Sequence, residues 1–271
     1  MKLSLSEIST VNASFTEDVA AYAAAGFEAI GLWEFKLPAD DAANLSLLRD
    51  HGLAISNCVP AVPAILPLAI PGMEGAADPE ERIESLCASV RRFAAYEPEC
   101  VVCLTGPLGD LTPAAAHTIV LDGLRRIADT ARDAGVRLGL EPIHPTERET
   151  TSFVNSVAAA VDLLAEGDLD DVGIMVDTYN LWDDDGAVGW LAANSNRVTG
   201  VHVAGRPGDA AGRALPGEVG DRERELVEAL RAGGWDGSLD VEIFSTPEEF
   251  WGLPVDEAAR RAHSAASALL A

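Results

Sequence analysis

The chain has 271 residues, and its 48% hydrophobic and 23% charged content is typical of a globular protein and excludes a wholly disordered one. Its 44 Asp and Glu residues outnumber its 19 Lys and Arg residues, which gives a formal net charge of −25. That charge repels phosphate backbones and anionic lipid headgroups, so we expect neither a nucleic-acid partner nor a membrane partner.

The sequence predicts a cytoplasmic protein. No apolar run approaches the ~20 residues of a membrane-spanning helix. The first ten residues lack the sustained apolar segment of a secretory signal. Cys100 and Cys103 form a C-x-x-C sequence within an apolar run, where they would point to opposite faces of a strand. Together with Cys58 and Cys87, they are expected to be buried, reduced thiols.

Eight short apolar runs predict eight β-strands, and several are near-continuously apolar, as in parallel strands covered by helices. In chain order they are Leu3–Ile8, Ala29–Trp33, Leu53–Val59, Cys100–Leu104, Val136–Glu141, Val172–Asp177, Val198–Val203 and Leu239–Ile243. The apolar but proline-containing stretch from Val59 to Ile70 is predicted to be a loop.

Helical patterns lie between and after these runs. They cover Thr16–Ala25, Ala39–His51, Pro79–Tyr96, Pro113–Ala134, Ser152–Ala165, Ala187–Ala193, Arg222–Ala232 and Asp256–Leu270. Ser14 is a predicted N-cap and Gly26 a predicted stop for the first of them. Thr112 and Pro113 form an N-cap and first-turn pair for the fourth, which ends at Gly135.

A strand followed by a helix, repeated eight times without a linker, predicts an α/β fold. We expect residues 1–271 to form a single (β/α)8 TIM barrel. The competing fold is a doubly wound open sheet, which would need a glycine-rich turn after the first strand. Residues 9–13 contain no glycine, which favours the barrel.

Polar residues stand at or near the ends of the last four predicted strands, where a TIM barrel places its active site. They are Glu141, Asp177, His202 and Glu242. Their sequence neighbours are apolar, so strand alternation turns each polar side chain into the barrel mouth. Gly139 and Gly200, two residues before Glu141 and His202, are expected to leave room inside the barrel.

Three carboxylates and one imidazole that converge in this way need a positive partner, because their repulsion and lost hydration are costly. One divalent cation would supply that charge. The ligand set suits Mn²⁺ best, with Mg²⁺, Co²⁺ or Zn²⁺ as alternatives. The competing interpretation is that each residue forms its own salt bridge or cap. The matched position of all four residues on successive strands favours the metal site.

The sequence resembles the xylose-isomerase-like TIM-barrel superfamily of sugar phosphate isomerases and epimerases, which also contains endonuclease IV. The matching segments are L-E-P at Glu141, V-D-T-Y at Asp177, V-H-V-A-G at His202, L-P-G-E-V-G-D at 215–221 and D-V-E-I-F-S at Glu242. The resemblance follows the strand order over nearly the whole chain and is strongest from Val136 onward.

The resemblance implies that Glu141, Asp177, His202 and Glu242 bind one metal ion and that the substrate is a sugar with adjacent oxygens. It also implies that Glu141 and Glu242 can flank the substrate and move a proton between adjacent carbons. Glu147 lies six residues after Glu141, as a substrate-binding glutamate does in ketose 3-epimerases. Asn180 replaces a histidine found in several members, and it can position a hydroxyl but cannot titrate.

Other residues near the strand ends are candidates for contact with the substrate. His144, in a proline-flanked turn, is a candidate proton-transfer residue, or else a capping or substrate-orienting one. Lys36 and Arg206 could each contact a substrate oxygen. Trp182 could form part of an apolar wall, as could three other aromatic residues, Trp33, Phe250 and Trp251.

We therefore predict a metal-dependent sugar isomerase or epimerase that acts on a keto- or aldo-sugar through a metal-stabilised enediolate. The alternative is a metal-dependent lyase or dehydratase on a keto-sugar or cyclic polyol, as in inosose dehydratase, dehydroshikimate dehydratase or 3-keto-glycoside-cleaving enzymes. Asn180 and His144 keep that alternative open. A phosphodiesterase like endonuclease IV is disfavoured by five histidines and the negative charge. A non-catalytic sugar-binding barrel is the remaining alternative, and a homo-oligomer is compatible with each.

Overall fold

Eight parallel strands close into one barrel in sequence order, in a computed structural model that describes residues 1–70, 75–208 and 212–271. The strands are β1 Lys2–Ser6, β2 Ala29–Trp33, β3 Ala54–Val59, β4 Cys100–Cys103, β5 Leu138–Leu140, β6 Gly173–Asp177, β7 Val198–Val203 and β8 Ser238–Val241. β1 pairs with β8 as well as with β2, and this pairing closes the sheet. The predicted (β/α)8 barrel is confirmed.

An α-helix follows each strand. The helices are α1 Phe15–Ala25, α2 Asp41–His51, α3 Pro79–Phe93, α4 Pro113–Ala134, α5 Val157–Glu166, α6 Ala187–Asn194, α7 Arg222–Ala232 and α8 Val255–Leu270. The predicted caps are present. Ser14 and Glu17 form a capping box at the start of α1, and Gly26 ends the helix at a φ of 101°. Among the described residues, no helix is long and apolar enough to cross a membrane.

The start of α5 differs from the sequence prediction, which placed it at Ser152. The side chain of Ser156 caps the helix by accepting a hydrogen bond from the Ala159 amide. Ser152 is instead fully buried, and its hydroxyl lies 2.8 Å from the hydroxyl of Thr105 at the end of the β4 segment. Val59 ends β3, and the residues from Pro60 to Ile70 contain no helix and only an isolated bridge at Ala64, in agreement with the predicted loop.

The main core lies between the barrel and the helices. Val176, Val201 and Val241 belong to it, which confirms that these neighbours of the strand-end polar residues face outward. The four cysteines are free and buried, with Cys100 inside the barrel and Cys103 in the outer core.

The glycines inside the barrel make room for protein atoms. A Cβ at Gly200 would lie 2.6 Å from both Cys100 Sγ and Met175 Sδ, and one at Gly139 would lie 2.7 Å from Thr199 Oγ1. The barrel interior beneath the mouth is therefore packed, as in other TIM barrels. The expected open space at these two glycines does not exist.

Candidate metal and substrate site

The four strand-end residues converge at one end of the barrel. Asp177 ends β6 and is directly paired in register with His202 on β7. Glu141 and Glu242 each follow the last residue of β5 and β8, and their amides donate to the carbonyls of Cys103 and Val203. All four side chains are buried. The strand pairing itself holds them in place, so little side-chain freedom remains to be lost when a ligand binds.

Glu141, Asp177 and His202 each offer one ligand atom, and these three atoms lie within 4.8 Å of one another. His202 Nδ1 is buried and has no hydrogen-bond partner among the described residues. It lies 3.9 Å from Glu141 Oε1 and 3.3 Å from Glu242 Oε2. A buried ring nitrogen between carboxylate oxygens, with its bonding capacity unused, fits a divalent cation bound by oxygen and imidazole ligands.

Arg213 occupies part of the space between the carboxylates. Its guanidinium lies 2.8 Å from Asp177 Oδ2 and 2.6 Å from Glu242 Oε2. The guanidinium also stacks on two rings, 4.6 Å from the centroid of Tyr179 and 4.9 Å from that of Phe244. Glu242 therefore lies next to the three-residue cluster but is held by an arginine, which supplies positive charge that the site requires.

The Asn180 amide organises the acidic side chains. Its Nδ2 donates to Glu141 Oε1 at 3.1 Å and to Asp177 Oδ2 at 2.9 Å, and its Oδ1 accepts from the His144 amide. The predicted positioning role of Asn180 agrees with this geometry, although the groups it positions are two ligand candidates.

Two further polar residues support His202 from below. Its Nε2 lies 3.3 Å from Asn57 Oδ1 and 3.6 Å from Asp240 Oδ2, while Asn57 Nδ2 donates to Asp240 at 2.8 Å. A proton on Nε2 would therefore have acceptors, which leaves Nδ1 free to coordinate. A Cβ at Gly31 would lie 2.1 Å from Asp240 Oδ2, so glycine is required there to accommodate this carboxylate.

The titration behaviour of the cluster reflects an excess of negative charge. Burial raises the pKa of Glu141 to about 7, against the opposing effect of His202. Burial alone would lower the pKa of His202, but the carboxylates of Glu242, Glu141 and Asp240 outweigh it and raise the pKa to about 10. Burial also raises the pKa of Asp240 to about 6. The site thus favours an added positive charge at the position of the imidazole.

The cluster opens into a cavity of about 460 Å³. Its polar lining comes from the β5–β8 half of the barrel, namely Glu141, Glu147, Thr151, Tyr179, Asn180, His202, Arg213 and Glu242. The residues that follow or end β1–β4 form an apolar wall, defined here as Ile8, Trp33, Val59, Leu68, Val102 and Leu104. Phe244 and Trp251, which follow β8, complete the lining next to this wall.

Glu147 and Asn180 line the cavity, whereas four other candidate residues do not. Lys36 lies in a buried pocket of its own, where its Nζ donates to the carbonyls of Glu7 and Thr10 and pairs with Asp18. Arg206 stacks on Tyr179 at 4.5 Å and donates to Thr146. Trp182 is half-buried away from the cavity, near Gly220.

His144 is the fourth residue outside the cavity. Its Nδ1 lies 2.8 Å from Thr146 Oγ1 and its Nε2 lies 3.0 Å from Asp183 Oδ2. Both ring nitrogens are therefore engaged on the far side of the turn. His144 Nδ1 also accepts from the Thr146 amide, as a capping residue does, whereas the proton-transfer role stays a prediction. Of the aromatic candidates, Trp33 and Trp251 line the cavity, whereas Phe250 lines neighbouring surface pockets.

Sequence reasoning missed Arg213, Asn57, Asp240, Tyr179 and Phe244. Asp240 lies two residues before Glu242 on the same strand face, so strand alternation could have found it. Asn57 is a polar residue within an apolar strand and gave a similar signal. Arg213 lies in a loop, and no local pattern indicates that it folds back over the barrel mouth.

The model of the xylose isomerase-like TIM barrel family matches residues 19–267. The chain belongs to this family. The match spans seven of the eight strands, from β2 to β8, and includes every residue of the candidate cluster.

Solved structures share the fold of this family member. A protein from Sinorhizobium meliloti 1021 is 23% identical, with a TM-score of 0.85 over 99% of this chain and 98% of that one. The IOLI protein, which has a bound zinc atom, is 19% identical, with a TM-score of 0.80 over 100% and 98%. The E. coli 3-keto-D-glucoside 4-epimerase is 18% identical, with a TM-score of 0.74 over 100% and 99%. No curated protein matches the chain in sequence.

Proposed function

We propose that the protein is a divalent-metal-dependent sugar isomerase or epimerase that acts on a keto- or aldo-sugar. The observation that carries this proposal is the free, buried Nδ1 of His202 between carboxylates at the base of a cavity of about 460 Å³. Two proteins of the same fold support it, because one is a keto-glucoside epimerase and the other binds zinc. A small-molecule sugar is accordingly the proposed substrate.

Glu141, Asp177 and His202 would hold the cation, and Glu242 would join them where Arg213 releases its carboxylate. Mn²⁺ is the proposed ion, although the same set of ligands also suits Zn²⁺, Co²⁺ or Mg²⁺. Bound there, a divalent cation supplies Lewis-acid polarisation of a carbonyl and so acidifies the adjacent C–H group.

Residues of the chain would supply proton transfer, charge neutralisation and substrate binding. Glu141 Oε1 and Glu242 Oε2 lie 3.9 and 3.3 Å from His202 Nδ1, so two carboxylates are available at the site, one to take a proton from the substrate and the other to return one. Arg213 reaches the cavity and can neutralise an oxygen that gains negative charge. Asn180 and Glu147 offer hydrogen-bonding groups for hydroxyls. Both lie in the cavity wall.

Metal binding is the first test of this function. Calorimetric titration should detect one Mn²⁺ or Zn²⁺ per chain, and Glu141→Gln should weaken that binding by at least about tenfold because it removes a charged ligand. Glu28→Gln, at an exposed carboxylate, is the matched control and should bind as the wild type does. Absence of divalent-metal binding by the wild type would refute the proposal.

The reaction class is tested by solvent-deuterium exchange. The metal-loaded protein, incubated in D₂O with a panel of keto-sugars, should incorporate deuterium next to the carbonyl, as measured by NMR. An epimer or isomer as product supports the proposed outcome, whereas a dehydrated or cleaved product assigns the protein to the lyases. Binding of sugar without exchange or product on any of these sugars would identify a non-catalytic sugar-binding barrel.

A further inference from the structure

The two halves of the cavity differ in chemistry. The polar side chains that line the cavity come from the β5–β8 half of the barrel, while the apolar wall comes from β1–β4. Among the six residues of the apolar wall, no side chain has an unused hydrogen-bonding group. The indole Nε1 of Trp33 donates to Ser6 Oγ at 2.9 Å, so only the ring of this residue faces the cavity.

Main-chain groups do not make this half polar either. The Trp33 amide donates to Glu7 Oε2 at 2.7 Å. The Leu104 amide donates to the Pro63 carbonyl at 2.8 Å, and the Leu104 carbonyl accepts from Ile65 at 3.1 Å. Trp251 is similar, since its Nε1 donates to the Ile243 carbonyl. The side chains of the apolar wall therefore present only hydrocarbon and aromatic ring to a ligand.

A sugar without a substituent would use only the polar half of this cavity. Its hydroxyls surround the ring, and those facing the apolar wall would lose water without gaining a partner, which disfavours binding. The volume of about 460 Å³ is also within the range of about 300–1,000 Å³ that holds drug-sized ligands, which are larger than one hexose. A ligand with one polar end and one apolar end matches both halves.

We propose that the substrate is a sugar or cyclic polyol that carries an apolar, planar substituent, as an aryl glycoside does. The sugar end lies at the Glu141 side, and the substituent lies against the apolar wall. This inference rests on the proposed function for the placement of the sugar end.

The aromatic residues favour a planar substituent over a flexible alkyl chain. The Trp33 and Phe244 rings have centroids 5.9 Å apart at an interplanar angle of 73°, and Phe244 and Trp251 are 6.3 Å apart at 57°. The first pair is edge-to-face and the second is tilted, and aromatic rings so arranged can pack against a further ring. Arg213 stacks on Phe244 and pairs with Asp177 and Glu242, and the six wall residues carry no charge, so the part of the substituent that lies against the wall is expected to be uncharged.

Matched glycosides test this inference. We would measure the dissociation constants of methyl and phenyl D-glucopyranosides, in both anomeric forms, with the Mn²⁺-loaded protein and again without metal. At least one phenyl glycoside should bind about tenfold or more tightly than its methyl counterpart, because the ring buries apolar area against the wall. The preference should persist without Mn²⁺, since the wall contains no metal ligand.

Val102→Thr tests the wall directly, because it keeps the side-chain shape and adds a hydroxyl. It should reduce the phenyl preference about threefold or more. Val101→Thr is the matched control, since the neighbouring valine on β4 faces the outer core and should leave the preference unchanged. Val59→Thr serves the same purpose if the first variant fails to fold.

The outcomes separate this inference from the function on which it rests. Equal affinities for methyl and phenyl glycosides, or binding of neither, would overturn the substrate class even if the protein binds metal and exchanges deuterium. A phenyl preference that Val102→Thr does not change would also overturn it. A phenyl preference that responds to Val102→Thr in a protein without metal affinity would support the apolar subsite and refute the proposed function.

Discussion

Glu7 is a fully buried carboxyl group that the candidate site does not use. Its Oε2 accepts the Trp33 amide, and its Oε1 has no partner among the described residues. Burial, reinforced by the charge of Asp18 and only partly opposed by Lys36, raises its pKa from 4.5 to about 8. The folded protein therefore binds this proton more tightly than the unfolded chain does.

This pKa predicts a pH-dependent effect of Glu7→Gln. A raised carboxyl pKa contributes stability that is complete below pH 4.5 and is lost as the pH rises through about 8. Glutamine imitates the protonated acid, so the variant should lie close to the wild type at pH 4, and at pH 9 its free energy of unfolding should exceed that of the wild type by roughly 4 kcal/mol. Urea unfolding at the two pH values measures this, with Glu28→Gln as an exposed control. An equal difference at both pH values would contradict the prediction.

Arg213 is the second residue whose role can be measured. Its guanidinium is the buried positive partner of Asp177 and Glu242, and loss of such a partner leaves uncompensated charge that typically costs about 3–5 kcal/mol. We expect Arg213→Gln to reduce the free energy of unfolding by that order in metal-free protein. Mn²⁺ should restore part of the loss, because the cation replaces the missing charge in the proposed site.

Arg260→Gln is the control for the Arg213 variant, because Arg260 forms ion pairs with Asp256 and Glu257 on the exposed surface, where solvent screens them and they contribute little to stability. Urea unfolding with and without Mn²⁺ would give both quantities. A metal-free Arg213→Gln protein as stable as the wild type would show that the guanidinium does not neutralise this cluster.

At the scale of elements, the strand–helix order could be predicted because each element has its own local pattern. The helix that starts after Thr112 follows from its cap, its proline and its apolar spacing. The start of α5 could not be predicted as well, because Ser152 and Ser156 are both acceptable caps by sequence. The choice depends on Thr105, which is distant in sequence and contacts Ser152.

The candidate site likewise contains residues that could be predicted from local sequence patterns and residues that could not. Glu141, Asp177 and His202 could be predicted because strand alternation and strand order alone bring them together. The orientation of His144 depends on Asp183 in a different loop, and the buried position of Lys36 depends on Asp18 in α1. The contacts of loop side chains form only when the barrel has assembled and brought distant loops together. The spacing of residues along the chain therefore does not predict these contacts.

At the scale of the whole molecule, the closed sheet couples the first strand to the last. Leu3 pairs with Leu239 across the β1–β8 seam, and α1 packs against α8 beside it. An incomplete barrel would expose the edges of its first and last strands and part of the outer core. The stability of each part of the barrel therefore depends on the other parts.

We accordingly expect residues 1–271 to unfold as one domain. Urea transitions followed by far-UV circular dichroism and by tryptophan fluorescence should coincide, because the five tryptophans are spread from β2 to the β8–α8 loop and report on both halves of the barrel. Limited proteolysis should cut loops without releasing two fragments that fold alone. Two separate transitions, or recovery of two independently folded fragments, would contradict a single barrel domain. In that case, the fragment that retained Asp177 and His202 would be the domain that carries the candidate site.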